Sequence, residues 1–521
     1  MTSSGPLRIK KTEIVRELAA ALGEDRVSDN PAVRAAYRGS NYNFLPPWGK
    51  SPEIVVMPRS VEHVQDVVRL ANKYKLNVLP ICLGTMTPFC EADILIDMMG
   101  LDKIIKIDTE NSFVVVEPGV TFNRLLPLLR KEGHTISYGS FPANFSVAAN
   151  QGVLRTINHN FSGRFSDQTL GYEIVLPDGT LLRTGTATFG TGYWSPLILD
   201  FPDVRGLFLG SPGGRPPLGI ITKAALRIWP MMEARGLPIG GFGSLAQAFK
   251  FSKAVVKAGI ADQSMVWNWV LMGMSESRAK GGKDDVDFMN YRMTTDYTKP
   301  YQGLYYCYTW TQFRGYKEQI EVNLKLCERI AREMGGRILS DQEIQDTIPN
   351  VHKTWKLSYE DFLLEETKAA HLWKVGGEGT LEVWYYVGWI DDLIKLEEAF
   401  NRRLKEKYTP IPQPYYCRVF ESGIGGHLRY QMSADIADEY QGRRNRQLRE
   451  EMNAWILDHF PNIHAAGAKQ VNTQSIGLGV VLDKIRDALD PNHIGYTVGE
   501  KRLEPDDEGR PDHGMESPIH E

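Results

Sequence analysis

Two stretches of the 521-residue chain gather residue types that could do chemistry. The first is LPICLGTMTPF, residues 79–89. An apolar run gives way to Gly84, Thr85 and Thr87, residues small enough for successive main-chain N–H groups to turn toward one anion. Such a loop could cradle a pyrophosphate without a lysine, and the same residues also read as an ordinary connection. No G-x-G-x-x-G follows a strand and no G-x-x-x-x-G-K-[ST] occurs, which disfavours Rossmann-type dinucleotide binding and P-loop chemistry. The second stretch is ESGIGGHLRYQ, residues 421–431. An unshifted imidazole titrates near neutral pH, so His427 is a candidate general base or substrate anchor. Alternation along a strand puts Arg429 on the same face, where it could hold a carboxylate through a bidentate pair. A core histidine and a solvated arginine are the bland readings of the same residues. Arg418 and Glu421 lie close by in sequence.

The elements that must position these stretches are readable from period. Residues 12–23 form an amphipathic helix on Ile14, Val15, Leu18, Ala19 and Leu22. Strand 54–58, a helix capped by Ser60 with Val64, Val67, Val68 and Ala71 on one side, and strand 76–81 make a βαβ unit with parallel strands. Three short strands follow at 93–98, 102–108 and 112–119, then a helix from Thr121 to Lys131 that Pro127 should kink or shorten. EIVLPDGTLLRTG (173–185) is a hairpin turned by Pro-Asp-Gly, and 218–230 is a further strand. From about 234, helices at 243–259, 316–336, 391–408 and 433–460 alternate with the aromatic strands WNW (267–269), LYYCYTW (304–310) and VWYYVGW (383–389). Those aromatics read as sheet core or as the lining of a substrate cavity, with Tyr172, Trp267, Trp269 and Tyr385 as candidate walls. A last helix spans 480–492, and the polar tail from 503 is expected to be disordered or draped on the surface.

Composition narrows the classes. A net charge of −4 provides no basic field for nucleic acid or an anionic membrane. Five cysteines, without a CxxC pair or a zinc-type cluster, suit a reduced cytoplasmic setting and imply no metal site; Cys82 and Cys90 read as packing residues. The N-terminal MTSSGPLRIKK lacks a signal peptide's apolar stretch, and no apolar run is long enough to span a membrane.

The succession of the loop at 79–89, IDTENSFVVVEPGV (107–120), SVAANQG (146–152), GYEIVLPDGTLLRTG (171–185), PPLGIITKAALRIWP (216–230) and DALDPNHI (487–494) resembles the vanillyl-alcohol oxidase / p-cresol methylhydroxylase flavoproteins. FPDVRGLF (201–208) and KIRDALDPN (484–492) are most similar to the 4-cresol dehydrogenase and eugenol oxidase branch. The resemblance implies an α+β fold: a PCMH-type FAD-binding domain of two α+β subdomains over 1–233, and an α+β substrate cap with an antiparallel sheet over 234–465. Residues 466–521 would return to the FAD domain and end in the tail. It further implies that Ile81, Cys82, Leu83, Gly84, Thr85, Met86 and Thr87 form the pyrophosphate loop, and that Pro118 and Gly119 turn beside the adenosine. Ser146, Asn150 and Gly152 would flank the ribityl chain and flavin. The main chain of Gly219, Ile220 and Thr222 would contact the adenine or pyrimidine side, and His427 would face substrate over the flavin.

Departures from that pattern shape the functional expectation. GGEGTLEVWYYV (376–387) offers no histidine for a covalent flavin link, and Leu83 stands where another branch has one. Tyr385 and Tyr386 are near enough in sequence for a tyrosyl link, but non-covalent FAD is the expectation. Phe89 occupies the position of a phenolate-binding tyrosine, Phe141 that of an acid beside the flavin, and no Tyr-Arg pair is evident near 460–472. The expected enzyme is an FAD-dependent dehydrogenase or oxidase taking a hydride from a small aromatic substrate, a benzylic alcohol or alkylphenol-like molecule. Electrons would pass to oxygen, to a cytochrome on a separate chain (no CxxCH is present) or to another carrier, and a homodimer is expected. A D-2-hydroxy acid is the alternative substrate, although no H-x-x-D-G-N-x-H occurs, and a non-catalytic flavin-fold subunit is the third reading.

Overall fold

The computed structural model describes residues 11–37, 51–82, 92–136, 144–153, 158–159, 163–164, 168–195, 202–208, 218–280, 283–301, 303–349, 379–407, 413–420, 423–435, 439–465 and 477–495. Helix α1 (Lys11–Leu22) buries Ile14, Leu18 and Leu22 in the core that it shares with α2 (Val61–Tyr74). The Ser60 hydroxyl accepts from the His63 N–H and starts α2, which turns Val64, Val67, Val68 and Ala71 inward. Strands β1 (Ile54–Val56) and β2 (Val78–Ile81) flank it in sequence but do not touch. Strand β3 (Ile94–Asp97) inserts between them, parallel to both. All three strands are buried, so their apolar runs carry no period that would reveal the pairing order.

The next two strands, β4 (Ile104–Asp108) and β5 (Phe113–Val116), enter a second, antiparallel sheet. Its order is β7 (Leu181–Arg183), β6 (Thr169–Val175), β8 (Ile220–Arg227), β5, β4. The hairpin between β6 and β7 turns at Pro177-Asp178-Gly179 as expected: Leu176 N donates to Thr180 O at 2.8 Å, and Gly179 takes a φ of +88°. Helix α3 (Phe122–Lys131) packs Phe122, Leu125, Leu126 and Leu129 into this sheet's core. The expected shortening at Pro127 does not occur. That residue lies on the exposed flank of α3, where water can serve the carbonyl its missing N–H leaves over.

The aromatic half builds a third, mostly antiparallel sheet. Its main strands run β9 (Ile239–Phe242), β11 (Cys307–Gly315), β10 (Gln263–Asn268), β13 (Tyr415–Val419), β14 (Gly426–Asp435), β12 (Gly379–Gly388), with the short pairs Arg337–Ile338 and His464–Ala465 at its two edges. One face buries Phe249, Tyr386, Leu393, Phe400, Tyr430 and Met452 against helices α4 (Leu245–Lys257), α7 (Lys317–Glu333), α8 (Ile390–Lys407) and α9 (Glu439–His459). The other face sends Met265, Tyr308 and Trp310 into one buried cluster with Val114, Val116, Val147 and Ala148. The aromatic sheet is thereby seated on the second sheet.

Two expectations need correction. Trp269 begins a helix, α5 (Trp269–Lys280), which pairs with α6 (Lys283–Thr294). Trp269, Val270, Leu271 and Met272 are all buried in succession, so this helix has no amphipathic period to read. Residues 433–435 end β14, and α9 starts only at Glu439. Helix α10 (Leu478–Leu489) follows near the end of the chain. There the Asp490 carboxylate accepts from the N–H groups of Ile494 and Gly495, both at 2.8 Å, and Val78 N donates to Ile494 O at 2.7 Å. The chain's last described segment is thus laid beside β2. Among the described residues no helix is long and apolar enough to cross a membrane.

Candidate functional site

The three N-terminal segments singled out in the sequence converge on one carbonyl. Strand β2 ends at Ile81, and the next residue, Cys82, points its thiol at Pro118 O, 3.6 Å away. The Ser146 hydroxyl donates to the same oxygen. The chain after it is zipped to the Pro118–Gly119 turn by Val147 N to Val120 O at 2.8 Å. Gly119 has no room for a side chain: a Cβ would sit 2.6 Å from Met99 O and 2.7 Å from Leu101 O. Leu83, Gly84, Thr85, Met86 and Thr87 lie outside the described residues, as do Phe89, Cys90 and Phe141. Burial pushes the Cys82 thiol up to about 11, only partly offset by its hydrogen bond with Ser146. It stays protonated at neutral pH, a packing group and hydrogen-bond donor with little thiolate character.

Ser146 O accepts from Asn150 twice, from its main-chain N at 3.1 Å and its side-chain Nδ2 at 2.8 Å. Asn150 is 6% exposed, and its Oδ1 finds no donor among the described residues. A buried carbonyl without a donor costs about 1–3 kcal/mol. The ribityl hydroxyls of a flavin dinucleotide are donors of the required kind, so this segment fits the expected cofactor. Gly152 continues the same helical turn, Ala148–Val153. Across the second sheet, the β5–β8 ladder stops at Val116–Ala224, so Ile220 and Thr222 lie past the end of β5, where the chain turns at Pro118. Thr222 is a bulge: Glu173 pairs with Lys223 and Ile174 with Ile221. Its hydroxyl is held by Glu173 Oε1 at 3.1 Å, and the Ile220 side chain is in the core. Gly219 is tight against Ile174. What these three residues can offer a ligand is main chain.

The substrate-side candidates lie on the aromatic sheet. In register, Arg418 on β13 stands opposite His427 on β14, and Tyr416 opposite Arg429. Alternation then places Arg418, Tyr416, His427, Arg429 and Gln431 on one face, the face that also carries Met265 and Trp267 of β10. His427 is 1% exposed and ringed by Tyr416 (centroids 5.5 Å apart, edge-on) and Phe420 (6.0 Å). Arg429 donates to the Tyr416 hydroxyl and holds its guanidinium 5.1 Å from that ring's centre. Burial lowers the Arg429 pKa to about 9, which leaves it cationic at neutral pH. Gln431 is 3% exposed, and its Oε1 has no hydrogen-bond partner among the described residues.

The structure thus places His427 and Arg429 on one face and overturns the expectation that the imidazole titrates near neutral pH. Burial, reinforced by the Arg418 charge, drives the imidazole pKa well below its usual value. His427 is a neutral hydrogen-bonding group here, a poor store for a proton. Tyr385 stands opposite Arg429 in the backbone register, and its side chain lies outside the described residues. Tyr386 is wholly buried among the helices, where its hydroxyl donates to Asn453 Oδ1 at 3.3 Å. Tyr172 is packed in the core of the second sheet, and Trp269 gives its indole N–H to Tyr297 O at 3.0 Å in a cluster with Phe288 and Tyr291. Tyr416 and Gln431 were not singled out from sequence, although the period-two spacing of 427, 429 and 431 carries the signal for Gln431. Among the described residues no group of three His, Cys, Asp or Glu side chains is placed to hold a metal.

Comparison with known proteins bears on both halves. Residues 52–185 match the family described as FAD binding domain. A probable mitochondrial D-lactate dehydrogenase of Danio rerio is 25% identical over 344 residues, 64% of this chain and 62% of its own length. The 4-cresol dehydrogenase [hydroxylating] flavoprotein subunit of Pseudomonas putida is 24% identical over 373 residues, 66% of this chain and 68% of its own. Among solved structures, 4-ethylphenol oxidase from Gulosibacter chungangensis superposes with a TM-score of 0.77 at 17% identity, covering 93% of this chain and 95% of that one. A p-cresol methylhydroxylase with bound substrate gives 0.75 at 19% identity, with the same coverage.

Proposed function

From the premise that this chain is a flavoprotein with an FAD-binding domain on the p-cresol methylhydroxylase fold, we propose that it is an FAD-dependent oxidoreductase that removes a hydride from a small aromatic substrate bearing an acidic oxygen. The observation that carries this reading is the buried polar row Tyr416, His427 and Arg429, on the face of the aromatic sheet that packs onto the FAD-binding half. A buried guanidinium is chemically suited to bind an anionic oxygen. Arg429 and the Tyr416 hydroxyl hold a phenolate-type oxygen, the neutral imidazole of His427 adds a hydrogen bond, and the Trp267 side of the face provides an apolar wall. Bound FAD supplies the hydride acceptor, while the chain's own residues orient the substrate and keep water out. FAD is held without a covalent link, a reading supported by the lack of a histidine in GGEGTLEVWYYV and at Leu83. The final acceptor is oxygen, a separate cytochrome or another carrier.

A D-2-hydroxy acid is the second reading, favoured by the similarity to the zebrafish protein and by the capacity of Arg429 to grip a carboxylate. Anaerobic addition of 4-hydroxybenzyl alcohol or D-lactate to the oxidised holoprotein separates the two. Bleaching of the flavin absorbance by the aromatic alcohol alone is the expected result. Bleaching by D-lactate alone would transfer the assignment to the hydroxy acid.

A further inference from the structure

Resting on the aromatic-substrate reading above, we propose that Gln431 is a specificity-determining residue that accepts a hydrogen bond from a hydroxyl at the far end of the substrate from Arg429. A carboxamide that is 3% exposed while its Oε1 meets no described donor is an open demand for a donor. Its position says from which direction the donor comes. Gln431 follows Arg429 by two residues on an unbroken stretch of β14 and shares its face. Alternate residues on a strand are about 6.5 Å apart. That separation matches two oxygens at opposite ends of a para-substituted ring, one anionic at Arg429 and one carrying a proton at Gln431. A 2-hydroxy acid has both groups on neighbouring carbons and matches it poorly. The strand contact of Gln431 is made by its main chain, whose N–H ties β14 to Pro414 O at 2.9 Å.

A matched substrate pair tests this. 4-Hydroxybenzyl alcohol and 4-methylphenol differ only in the hydroxyl that Gln431 would read. In the holoenzyme, Gln431→Leu is expected to raise KM for the alcohol about tenfold, the effect of one neutral hydrogen bond in a buried site, and to leave KM for 4-methylphenol within about twofold. Its melting temperature should equal or exceed that of the wild type, because a buried unpaired carbonyl is removed. Three results would overturn the proposal: equal effects on both substrates, a marked fall in melting temperature that assigns the amide a structural partner, or a weakened affinity for FAD that assigns it to the cofactor. Should wild-type flavin be bleached by neither phenol, the underlying substrate reading fails first, and that outcome is distinguishable because no variant is needed to see it.

Discussion

At the scale of single residues, ionisation decides what the site can do. The sequence alone presents His427 as an ordinary imidazole, yet burial and the neighbouring Arg418 hold it neutral. Sequence carried the position, and the period of the strand carried its face. The ionisation depended on β13 lying alongside, which only tertiary structure provides. A neutral His427 that hydrogen-bonds substrate has a kinetic signature. His427→Gln is expected to lower kcat/KM for 4-hydroxybenzyl alcohol about tenfold while leaving the shape of the pH profile between pH 5 and 8 unchanged. A wild-type limb near pH 6.5 that vanishes in the variant would show that the imidazole does carry the proton.

At the scale of elements, the back of the aromatic sheet contains a second polar group that the sequence did not announce. Glu397 on α8 is 3% exposed, and its Oε1 accepts from Tyr306 at 2.8 Å, Tyr415 at 3.0 Å and Asn401 at 2.7 Å. Burial outweighs these bonds and raises its pKa from 4.5 to about 7. Folded protein therefore keeps a proton that unfolded protein releases between those two values. Stability from this group is full below pH 4.5 and is lost as pH rises toward 7. The melting temperature of the wild type is expected to fall between pH 5 and 8 more steeply than that of Glu397→Gln, whose carboxamide does not titrate. Parallel melting curves for the two proteins would contradict this. Helix α8 itself was legible, since Leu393, Leu396, Phe400 and Leu404 recur at helical spacing. So were α2, the β6–β7 hairpin and α10. The insertion of β3 between β1 and β2 was not, because strand order is set by chain return and leaves no local pattern. Nor was α5, whose buried first turn erases its period.

At the scale of the whole molecule, two dissimilar halves meet along one face. The N-terminal sheets bring Cys82, Pro118 and Ser146 to a common point beside Asn150. The aromatic sheet, seated on Val147 and Ala148 through Met265, Tyr308 and Trp310, turns His427, Arg429 and Gln431 to the side that packs there. The turns at Pro118 and Ser146 were legible as an ordered set of small residues, whereas the polar row opposite emerges only when β13 and β14 are paired. The proposed role of that row requires a flavin between the halves. The absorbance spectrum of the purified chain, before and after denaturation and filtration, addresses this directly. A flavin spectrum that passes entirely into the filtrate is expected, from stoichiometric FAD held without a covalent bond. A colourless protein that leaves the fluorescence of added FAD unchanged would contradict it.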